Sequence, residues 1–406
     1  MPHRSYEDVQ ITGHLIDSGI MSEIMDAIVG LDGEFETLSF DVGRTNEDVS
    51  TARLRIHGRD SAHVAAMLSV VGQLGAEQLD QSDARTEPAP ADGVFPAGFY
   101  ATTNLDTAVR ILGSWIPVAG PEMDLGLVIE DGAARTVPMA DVRAGERVVV
   151  GHGGVRVRPH ERPRARQEFE FMNSEVSSEK PKALVIRDVA RVLQRVRGNG
   201  DSIIFVAGPA VVHTGAAGHL ARLVRAGYVS VLFGGNAIAT HDIETALYGT
   251  SLGVSMGGGA PIVGGHEHHL RAINTVRACG GIRQAVEQGV LTEGLMHTLV
   301  MTGTPYVLAG SIRDDGPLPD VITDAIEAQR AMRVYCQGAG ACIMLSTMLH
   351  SIATGNMLPA SVTTICVDIN PAVVTKLADR GSFQTVGIVT DVGLFLEMLA
   401  DELGCA

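Results

Sequence analysis

Two apolar runs in the C-terminal part of the chain end in polar residues that could bind a nucleotide. Residues 342–345 lead into Thr347, and residues 362–367 lead into Asp368. Each run has the length and composition of a buried strand. Open α/β sheets bind nucleotides at the carboxyl ends of their parallel strands, where an Asp can accept hydrogen bonds from the hydroxyls of a ribose. These residues therefore predict a nucleotide site at the edge of a parallel sheet.

Three further apolar runs also end in polar side chains. Asn236 follows a pair of glycines, and Asp391 follows the last run of the chain. Between them, Arg313 precedes Asp314 and Asp315. Any one of these side chains could merely cap a helix or close a turn. Because parallel strands end at the same edge of a sheet, five such strand ends together predict one crevice of dinucleotide size.

The turn that follows residues 306–309 carries the charges needed to bind an amino acid. Arg313 could pair with an α-carboxylate, and Asp314 could pair with an amine. The alternative is a surface ion pair within an Asp-Gly-Pro turn. We favour the substrate role because this turn should share the sheet edge with Asn236 and Asp368.

Several histidines lie between these strand ends. A glycine-rich stretch runs into His266, His268 and His269. This spacing at the start of a helix is poor for one tetrahedral ion, so we predict no bound metal. Solvated or capping histidines are one interpretation, and substrate contact or proton transfer is the other. Further upstream, His241 and Asp242 are predicted to cap a helix.

The charge and the cysteines restrict the class of protein. The 406 residues carry a net charge of −16, which argues against binding to the phosphate backbone of nucleic acids. Five cysteines without a Cys-x-x-Cys pair indicate a reducing compartment rather than a disulfide framework. The first residues lack the apolar core of a signal peptide, and no apolar run is long enough to span a membrane. We therefore expect a cytoplasmic protein without nucleic-acid or membrane partners.

The order of predicted elements divides the chain into three parts joined by linkers at 80–92 and 159–167. Residues 1–85 have the βαββαβ order of a ferredoxin-like α+β module. Residues 93–165 are predicted to form a small β-rich subdomain. In residues 180–406 strands alternate with helices, which predicts an α/β, Rossmann-like domain with a mostly parallel sheet. Its predicted strands are 202–206, 229–233, 306–309, 341–345, 363–367 and 386–389, and its predicted helices are 216–226, 241–249, 270–278, 282–287, 321–332, 372–379 and 393–403.

Long segments of the chain resemble one known family. These segments are residues 95–104, 134–139, 310–323, 347–359 and 367–376. They are similar to segments of the LOR/SDH-domain proteins, which include archaeal-type ornithine cyclodeaminases and the C-terminal part of arginine dihydrolase/ornithine cyclodeaminase enzymes. The similarity covers nearly the whole chain.

The resemblance implies a cyclising ammonia lyase that uses bound NAD to convert L-ornithine to L-proline and ammonia without net oxidation. It places the chain in arginine and ornithine metabolism leading to proline biosynthesis, and we expect a homo-oligomer. Arg313 is the candidate for the substrate carboxylate, Asp314 for the amine and His269 for proton transfer. The NAD contacts that the resemblance implies are Asn236, Ala237, Asp315, Thr347, Met348, Leu349, His350, Asp368, Asp391 and Val392.

Three other interpretations remain open. A net dehydrogenase acting on another basic amino acid would use the same crevice but would release NADH. An enzyme of the deoxyhypusine-synthase type would need a reactive lysine, and the only lysines are Lys180, Lys182 and Lys376. A non-enzymatic NAD-binding sensor would pair the N-terminal module with an inactive crevice.

Overall fold

The structure is a computed structural model in which the chain forms two compact units. The first comprises Met1–Gln167 with Leu358–Ala360, and the second comprises Glu168–Met357 with Ser361–Ala406. The residues that the structure describes are 5–16, 18–44, 48–79, 82–158, 182–251, 254–255, 268–314, 316–373 and 385–405.

The first unit begins with an antiparallel sheet of four strands in the order β2-β3-β1-β4. Alternating residues of β1 and β3, such as Val9, Leu54 and Ile56, are fully buried against Ile24 and Ile28 of the first helix. This alternation buries one face of the sheet and leaves the other in solvent. The predicted ferredoxin-like module is confirmed. Its elements are β1 (Ser5–Gly13), α1 (Ile20–Gly30), β2 (Glu34–Asp41), β3 (Ser50–Gly58), α2 (Ser61–Gln73) and β4 (Glu77–Gln78).

A second sheet of seven short strands follows in the first unit, in the order β11-β6-β7-β9-β8-β10-β5. Two of its hairpins turn at Leu112-Gly113 and Asp131-Gly132, where both residues have positive φ. Turns of this kind match the twist of the flanking strands. The first strand lies within the predicted linker 80–92, so that linker is wrong in part. The strands are β5 (Thr86–Pro88), β6 (Asp106–Ile111), β7 (Ser114–Ala119), β8 (Gly126–Glu130), β9 (Ala133–Val137), β10 (Arg147–Val149) and β11 (Val155–Arg158).

The second unit contains alternating strands and helices. Its elements are α3 (Lys182–Asn199), β12 (Ser202–Ala207), α4 (Ala210–His213), α5 (Ala217–Arg225), β13 (Val231–Gly235), α6 (Asn236–Tyr248), β14 (Thr250–Ser251), β15 (Val254–Ser255), α7 (His268–Cys279), α8 (Ile282–Glu287), α9 (Leu295–Thr302), β16 (Tyr306–Ala309), β17 (Val321–Ile322), α10 (Ala325–Cys336), β18 (Ala339–Leu345), α11 (Met348–Met357), β19 (Thr363–Asp368), β20 (Thr385–Val389) and α12 (Val392–Glu402).

The main sheet of this unit is parallel and has the order β17-β16-β13-β12-β18-β19-β20. Without the short edge strand β17, this is the doubly wound Rossmann order, in which successive strands are added first on one side of β12 and then, from β18 onward, on its other side. Phe205 joins the core formed with α3 and α12 on one face, and Phe233 contacts Tyr335 of α10 on the other. The predicted α/β, Rossmann-like fold is confirmed.

Some predicted elements differ from those observed. The predicted helix 321–332 begins too early, because Val321 joins the sheet and Asp324 then caps α10. The helix predicted at 241–249 begins five residues earlier, at Asn236. Helices α3, α4, α9 and α11 were not predicted. Most of the predicted helix 372–379 and the predicted linker 159–167 lie outside the described residues, as does the glycine-rich stretch at 256–267.

Two further observations concern the described part of the chain. No helix there is long and apolar enough to cross a membrane. All five cysteines, Cys279, Cys336, Cys342, Cys366 and Cys405, are free thiols. The division of the chain into three domains at 1–85, 93–165 and 180–406 stays a prediction.

Candidate active site

A cavity of about 1020 Å³ opens at the carboxyl edge of the parallel sheet in the second unit. Its walls are the segments that leave four consecutive strands of the sheet, and residues 269–273 of α7 close one side. Because β12 and β18 both end here, the cavity lies at the point where the strand order reverses, which is where such sheets bind ligands. The four segments are 207–209, 235–237, 309–314 and 347–350.

Two glycines let the strand ends converge. A Cβ on Gly208 would lie 2.2 Å from the carbonyl oxygen of Ser346, so no larger residue fits without movement of the backbone. Ser346 itself has a φ of 48°, which is uncommon for a residue other than glycine. A Cβ on Gly235 would lie 3.3 Å from Nε2 of His350. The close approach of these segments shapes the floor of the cavity.

Asn236 is the first residue of α6 and is buried in the cavity wall. Its Oδ1 accepts the backbone N–H of Leu318 at 3.0 Å and the hydroxyl of Thr240 at 3.2 Å. A backbone N–H can only donate, so this bond fixes which atom of the amide is the oxygen. The Nδ2 donors are therefore the polar atoms that Asn236 can offer to a ligand. Its neighbour Ala237 also lines the cavity.

The predicted run Thr347, Met348, Leu349 and His350 lines the opposite wall. Met348 begins α11 directly after the end of β18, so backbone N–H groups of the first turn are available to a ligand. Burial lowers the pKa of His350, although the nearby carboxylate of Asp314 opposes this effect. The imidazole of His350 is therefore neutral at neutral pH and can accept or donate a hydrogen bond.

Arg313 and Asp314 both line the cavity, on the turn after β16. The Asp314 carboxylate accepts the Ser311 N–H at 2.7 Å, and the Arg313 N–H is bonded to the Ser311 hydroxyl. Within the described residues, the Arg313 guanidinium makes no ion pair with Asp314, and the residue is exposed. Asp315 lies outside the described residues. Arg313 can therefore offer its charge to an anion in the cavity.

The structure does not bring Asp368, Asp391 and Val392 into the lining of the cavity. Asp368 ends β19 and is 8% exposed, and its carboxylate accepts the N–H of Asn370 at 2.8 Å. The carboxylate of Asp391 caps α12, accepting the N–H of Gly393 and of Leu394. Both residues lie at the carboxyl edge of the sheet, as predicted. Asp368 ends β19, which is one strand away from β18, and Asp391 follows β20, which is two strands away.

Three imidazoles form a row along the cavity wall. The rings of His213 and His241 have centroids 4.8 Å apart, and those of His241 and the predicted His269 are 6.3 Å apart. All three residues line the cavity. Burial, and secondarily the neighbouring His241, lowers the pKa of His213, so this ring is neutral at neutral pH. No role was predicted for His213, and only a capping role was predicted for His241.

A buried carboxylate supports the middle imidazole. Glu244 is 0% exposed, and its Oε2 lies 2.8 Å from Nδ1 of His241. Its Oε1 accepts the hydroxyl of Thr250 at 2.9 Å, and that hydroxyl lies 2.8 Å from Nδ1 of His268. The i, i+3 spacing of His241 and Glu244 on one helix was the signal that could have revealed this pair.

The capping role predicted for His241 and Asp242 is wrong. His241 lies in the second turn of α6, because that helix begins at Asn236. Asp242 caps another helix: its carboxylate accepts the N–H groups of Leu295 and Met296 at the start of α9. Among the residues that the structure describes, no group of three His, Cys, Asp or Glu side chains could hold a metal ion.

Family models match residues 6–399 of the chain. Residues 6–105 match the model of the LOR/SDH bifunctional enzyme conserved region. Residues 106–186 match the first region of the arginine dihydrolase ArgZ-like C-terminal family, and residues 187–399 match its Rossmann-fold region. The chain is 54% identical over 400 residues to the ornithine cyclodeaminase of Methanopyrus kandleri, covering 98% of this chain and 97% of that protein. It is 51% identical to the ornithine cyclodeaminase of Methanocaldococcus jannaschii, covering 98% and 96%.

Two solved structures of related proteins are also similar to this chain. The apo structure of cyanobacterial ArgZ, an arginine dihydrolase, superposes with a TM-score of 0.87 at 41% identity and covers all of this chain and 59% of that chain. The ternary complex of AgrE with ornithine and NAD+ superposes with a TM-score of 0.54 at 44% identity and covers all of this chain and 58% of that chain. The resemblance predicted from the sequence is confirmed: the chain belongs to the LOR/SDH-domain family of ornithine cyclodeaminases, together with the C-terminal regions of ArgZ-like enzymes.

Proposed function

We propose that this protein is an ornithine cyclodeaminase, which converts L-ornithine to L-proline and ammonia with bound NAD. The observation that carries the proposal is that one cavity of about 1020 Å³ is lined by part of the predicted cofactor set and by all three predicted substrate residues. The cofactor residues in its lining are Asn236, Ala237 and 347–350, and the substrate residues are Arg313, Asp314 and His269. A redox-neutral reaction needs this arrangement, because cofactor and substrate must stay together until the reaction ends.

The residues of the cavity fit NAD. The cavity lies at the switch point between β12 and β18, where a Rossmann-like sheet binds a dinucleotide, and Gly208 and Gly235 place no side chain in it. Nδ2 of Asn236 supplies donors for a carbonyl group, and Asp368 is the proposed acceptor for ribose hydroxyls. Bound NAD supplies a hydride acceptor at the start of the reaction and a hydride donor at its end.

The substrate groups are assigned to the turn after β16 and to α7. Arg313 is the proposed partner of the α-carboxylate, because this exposed residue lines the cavity and carries a positive charge. Asp314 is the proposed partner of an amine, although its carboxylate also accepts the Ser311 N–H. His269 was selected from the sequence for proton transfer, and it lines the same cavity. These roles are proposals.

Incubation of the purified protein with L-ornithine, without added NAD, tests the function. Proline and ammonia should form in equal amounts, and absorbance at 340 nm should show no accumulation of NADH. Release of one NADH per amino acid consumed would instead identify a net dehydrogenase. A protein that retains NAD but leaves every basic amino acid unchanged would be a sensor.

Two further properties are part of the proposal. A homo-oligomer is supported by strand β2, which forms an edge of the first sheet and exposes Leu38 and Phe40. A cytoplasmic location is supported by the five free thiols. Sedimentation of the purified protein and fractionation of its native cells test these two points.

A further inference from the structure

Glu244 is a carboxylate without exposed surface, bonded to His241, which lines the cavity. A buried carboxylate is costly unless hydrogen bonds compensate for its lost hydration. Both of its oxygens are bonded: Oε2 to His241 at 2.8 Å and Oε1 to Thr250 at 2.9 Å. The roles assigned to Arg313, Asp314 and His269 in the proposed function do not use this carboxylate.

The hydrogen bonds assign the protons along this network. The single hydroxyl proton of Thr250 is donated to Glu244, so Nδ1 of His268 must donate to the Thr250 oxygen. An ionised carboxylate oxygen can only accept, so Oε2 of Glu244 accepts a hydrogen bond from the Nδ1–H of His241. An imidazole with its proton held on Nδ1 has an unprotonated Nε2 when it is neutral. Since His241 lines the cavity, that nitrogen is the one available to a ligand.

We propose that His241 is the residue that takes and returns the proton in the reaction, and that Glu244 is its positioning residue. This inference rests on the proposed function and transfers the proton-transfer role from His269 to His241. The structure favours His241 because a buried carboxylate fixes its ring, as in the carboxylate–histidine pairs of other general bases. Within the described residues, no hydrogen bond of this kind fixes His269.

The proton balance of the reaction requires a group of this type. L-Ornithine carries two ammonium groups and one carboxylate, and the products are zwitterionic proline and an ammonium ion, so no net proton is gained or lost. The δ-ammonium must lose a proton before its lone pair can form the new bond to the α-carbon. The α-ammonium must likewise lose a proton before hydride can leave the α-carbon. When the original bond from the α-carbon to nitrogen breaks, the departing nitrogen ends as an ammonium ion, and the ring nitrogen takes up the other proton to give zwitterionic proline. The hydride removed from the α-carbon returns in the last step through the bound NAD, so no other oxidant is needed.

The neighbours of His241 suit this role. His213 lies 4.8 Å away on α4 and, because its pKa is lowered, adds no second positive charge beside a protonated His241. His269 lies 6.3 Å away on α7. Glu244, on the same helix as His241, supplies the negative charge that stabilises an imidazolium. These three residues are the titratable groups that contact or face His241 within the described part of the second unit.

Kinetics of single substitutions test the assignment. His241→Asn should lower kcat for proline formation by about 10² to 10⁴, the usual contribution of general acid–base catalysis. KM for ornithine and the bound NAD should change less than about threefold, since the cofactor has its own contacts. Imidazole added to His241→Ala should restore part of kcat. His269→Asn should lose less activity than His241→Asn, and His297→Asn, on α9 and outside the cavity lining, should match the wild type.

The substitution Glu244→Gln tests whether Glu244 positions the ring of His241 or only stabilises the folded protein. We expect kcat to fall at least about tenfold with unchanged NAD content and an unchanged unfolding midpoint. The ¹⁵N spectrum of histidine-labelled protein provides a readout that needs no activity. It should show His241 with its proton on Nδ1 in the wild type, and a different tautomer population in Glu244→Gln.

Three results would overturn the inference. The first is activity of His241→Asn within a few-fold of the wild type, and the second is a larger loss in His269→Asn. The third is a proton on Nε2 of His241 in the wild-type spectrum. A wild-type protein that forms no proline from ornithine would contradict the proposed function itself, and the spectrum would then still decide whether the pair exists.

Discussion

The carboxylate of Asp242 accepts the backbone N–H of Met296 at 2.7 Å, so a residue of α6 caps a helix that begins more than fifty residues later. The same carboxylate accepts the N–H of Leu295, and all three residues are buried. Gly294, which precedes them, has a φ of 102°, and a Cβ there would lie 2.9 Å from the carboxylate. This contact ties α9 to the helix that carries His241 and Glu244.

Asp242→Ala should therefore destabilise the protein. The substitution leaves two buried N–H groups without a partner, and each unsatisfied group costs about 1–3 kcal/mol. Asp324→Ala is the matched control, because Asp324 is exposed and caps α10 through two N–H groups of the same kind. Losing that cap should cost only about 1 kcal/mol. Urea unfolding measures the unfolding free energy of both variants. Equal losses of unfolding free energy would contradict the expectation that a buried cap stabilises the protein more than an exposed one.

The stability of the protein should also depend on pH through Asp242. Burial raises the pKa of this carboxyl to about 6, and its two backbone hydrogen bonds only partly oppose that effect. The folded protein therefore binds the proton more tightly than the unfolded chain, whose Asp has a pKa near 4. This contribution to the unfolding free energy is largest below about pH 4 and is lost as the pH rises through about 6.

Asp242→Asn removes the titrating group and serves as the reference. The unfolding free energy of the wild type minus that of the variant should fall as the pH rises from about 4 to 6. The fall should be about 1.4 kcal/mol for each unit by which the pKa of Asp242 differs between the folded and unfolded protein. Above that window the difference should be flat. A difference that grows with pH would mean that the pKa of Asp242 is lowered in the folded protein.

Gly208→Ala should abolish cofactor binding. The new Cβ would lie 2.2 Å from the backbone oxygen of Ser346, and a backbone atom cannot move aside as a flexible side chain can. The two strand ends would separate at the point where the proposed cofactor binds. Gly218→Ala is the control, because a Cβ there meets no atom within 4 Å. The NAD released by acid from each purified variant gives the answer, and full NAD content in Gly208→Ala would contradict the proposed position of the cofactor.

The parallel sheet was predictable because its strands are buried on both faces. Residues such as Ile203, Phe205 and Ile343 have at most 1% exposure, so the strands are continuous apolar runs that end at polar residues. Helix α9 was not predictable, because the side chain that caps it comes from Asp242, far away in the sequence. Helix α11 was missed because Gly355 and Asn356 give it a low helical propensity, and packing on the sheet stabilises it instead.

The candidate site was predictable from the sequence where it is formed by residues that directly follow the strands. Asn236 and Thr347 were placed in the crevice, and both line the cavity. Asp368 and Asp391 were assigned to the same crevice, but adjacent strands lie about 5 Å apart, so their strands end progressively farther from the switch point. The pair His241–Glu244 was missed because its recognition required the start of α6 at Asn236, and the predicted helix began five residues too late.

Asp368→Ala should release the cofactor and remove any preference for NAD over NADP. A carboxylate at the end of β19 can accept ribose hydroxyls and would repel a 2′-phosphate. One of its oxygens is already bonded to the N–H of Asn370, which holds the side chain in place. Asp401→Ala, which changes an exposed carboxylate of α12, is the control. Calorimetric titration of cofactor-free protein with both dinucleotides measures the effect, and unchanged NAD affinity in Asp368→Ala would show that the ribose binds elsewhere.

Arg313→Ala should separate substrate binding from cofactor binding. Arg313 lines the cavity, and within the described residues its guanidinium makes no ion pair with Asp314. Arg313 is exposed, and losing a hydrogen bond to a charged group at such a site costs roughly 1.5–3 kcal/mol. We therefore expect kcat/KM for ornithine to fall by a factor of about 10 to 150. The NAD content should stay near that of the wild type, because Asn236 and the segment 347–350 are unchanged.

Two controls make the Arg313 experiment decisive. Arg313→Lys keeps the charge but not the planar fork, so it should recover part of the activity if the substrate carboxylate is the partner. Arg283→Ala removes an exposed arginine of α8 that does not line the cavity, and it should leave kcat/KM unchanged. Full activity of Arg313→Ala would remove this residue from the substrate site. Loss of NAD together with activity would instead show that Arg313 binds the cofactor or fixes the turn after β16, because a residue that touches only the substrate cannot change the cofactor content of the free protein.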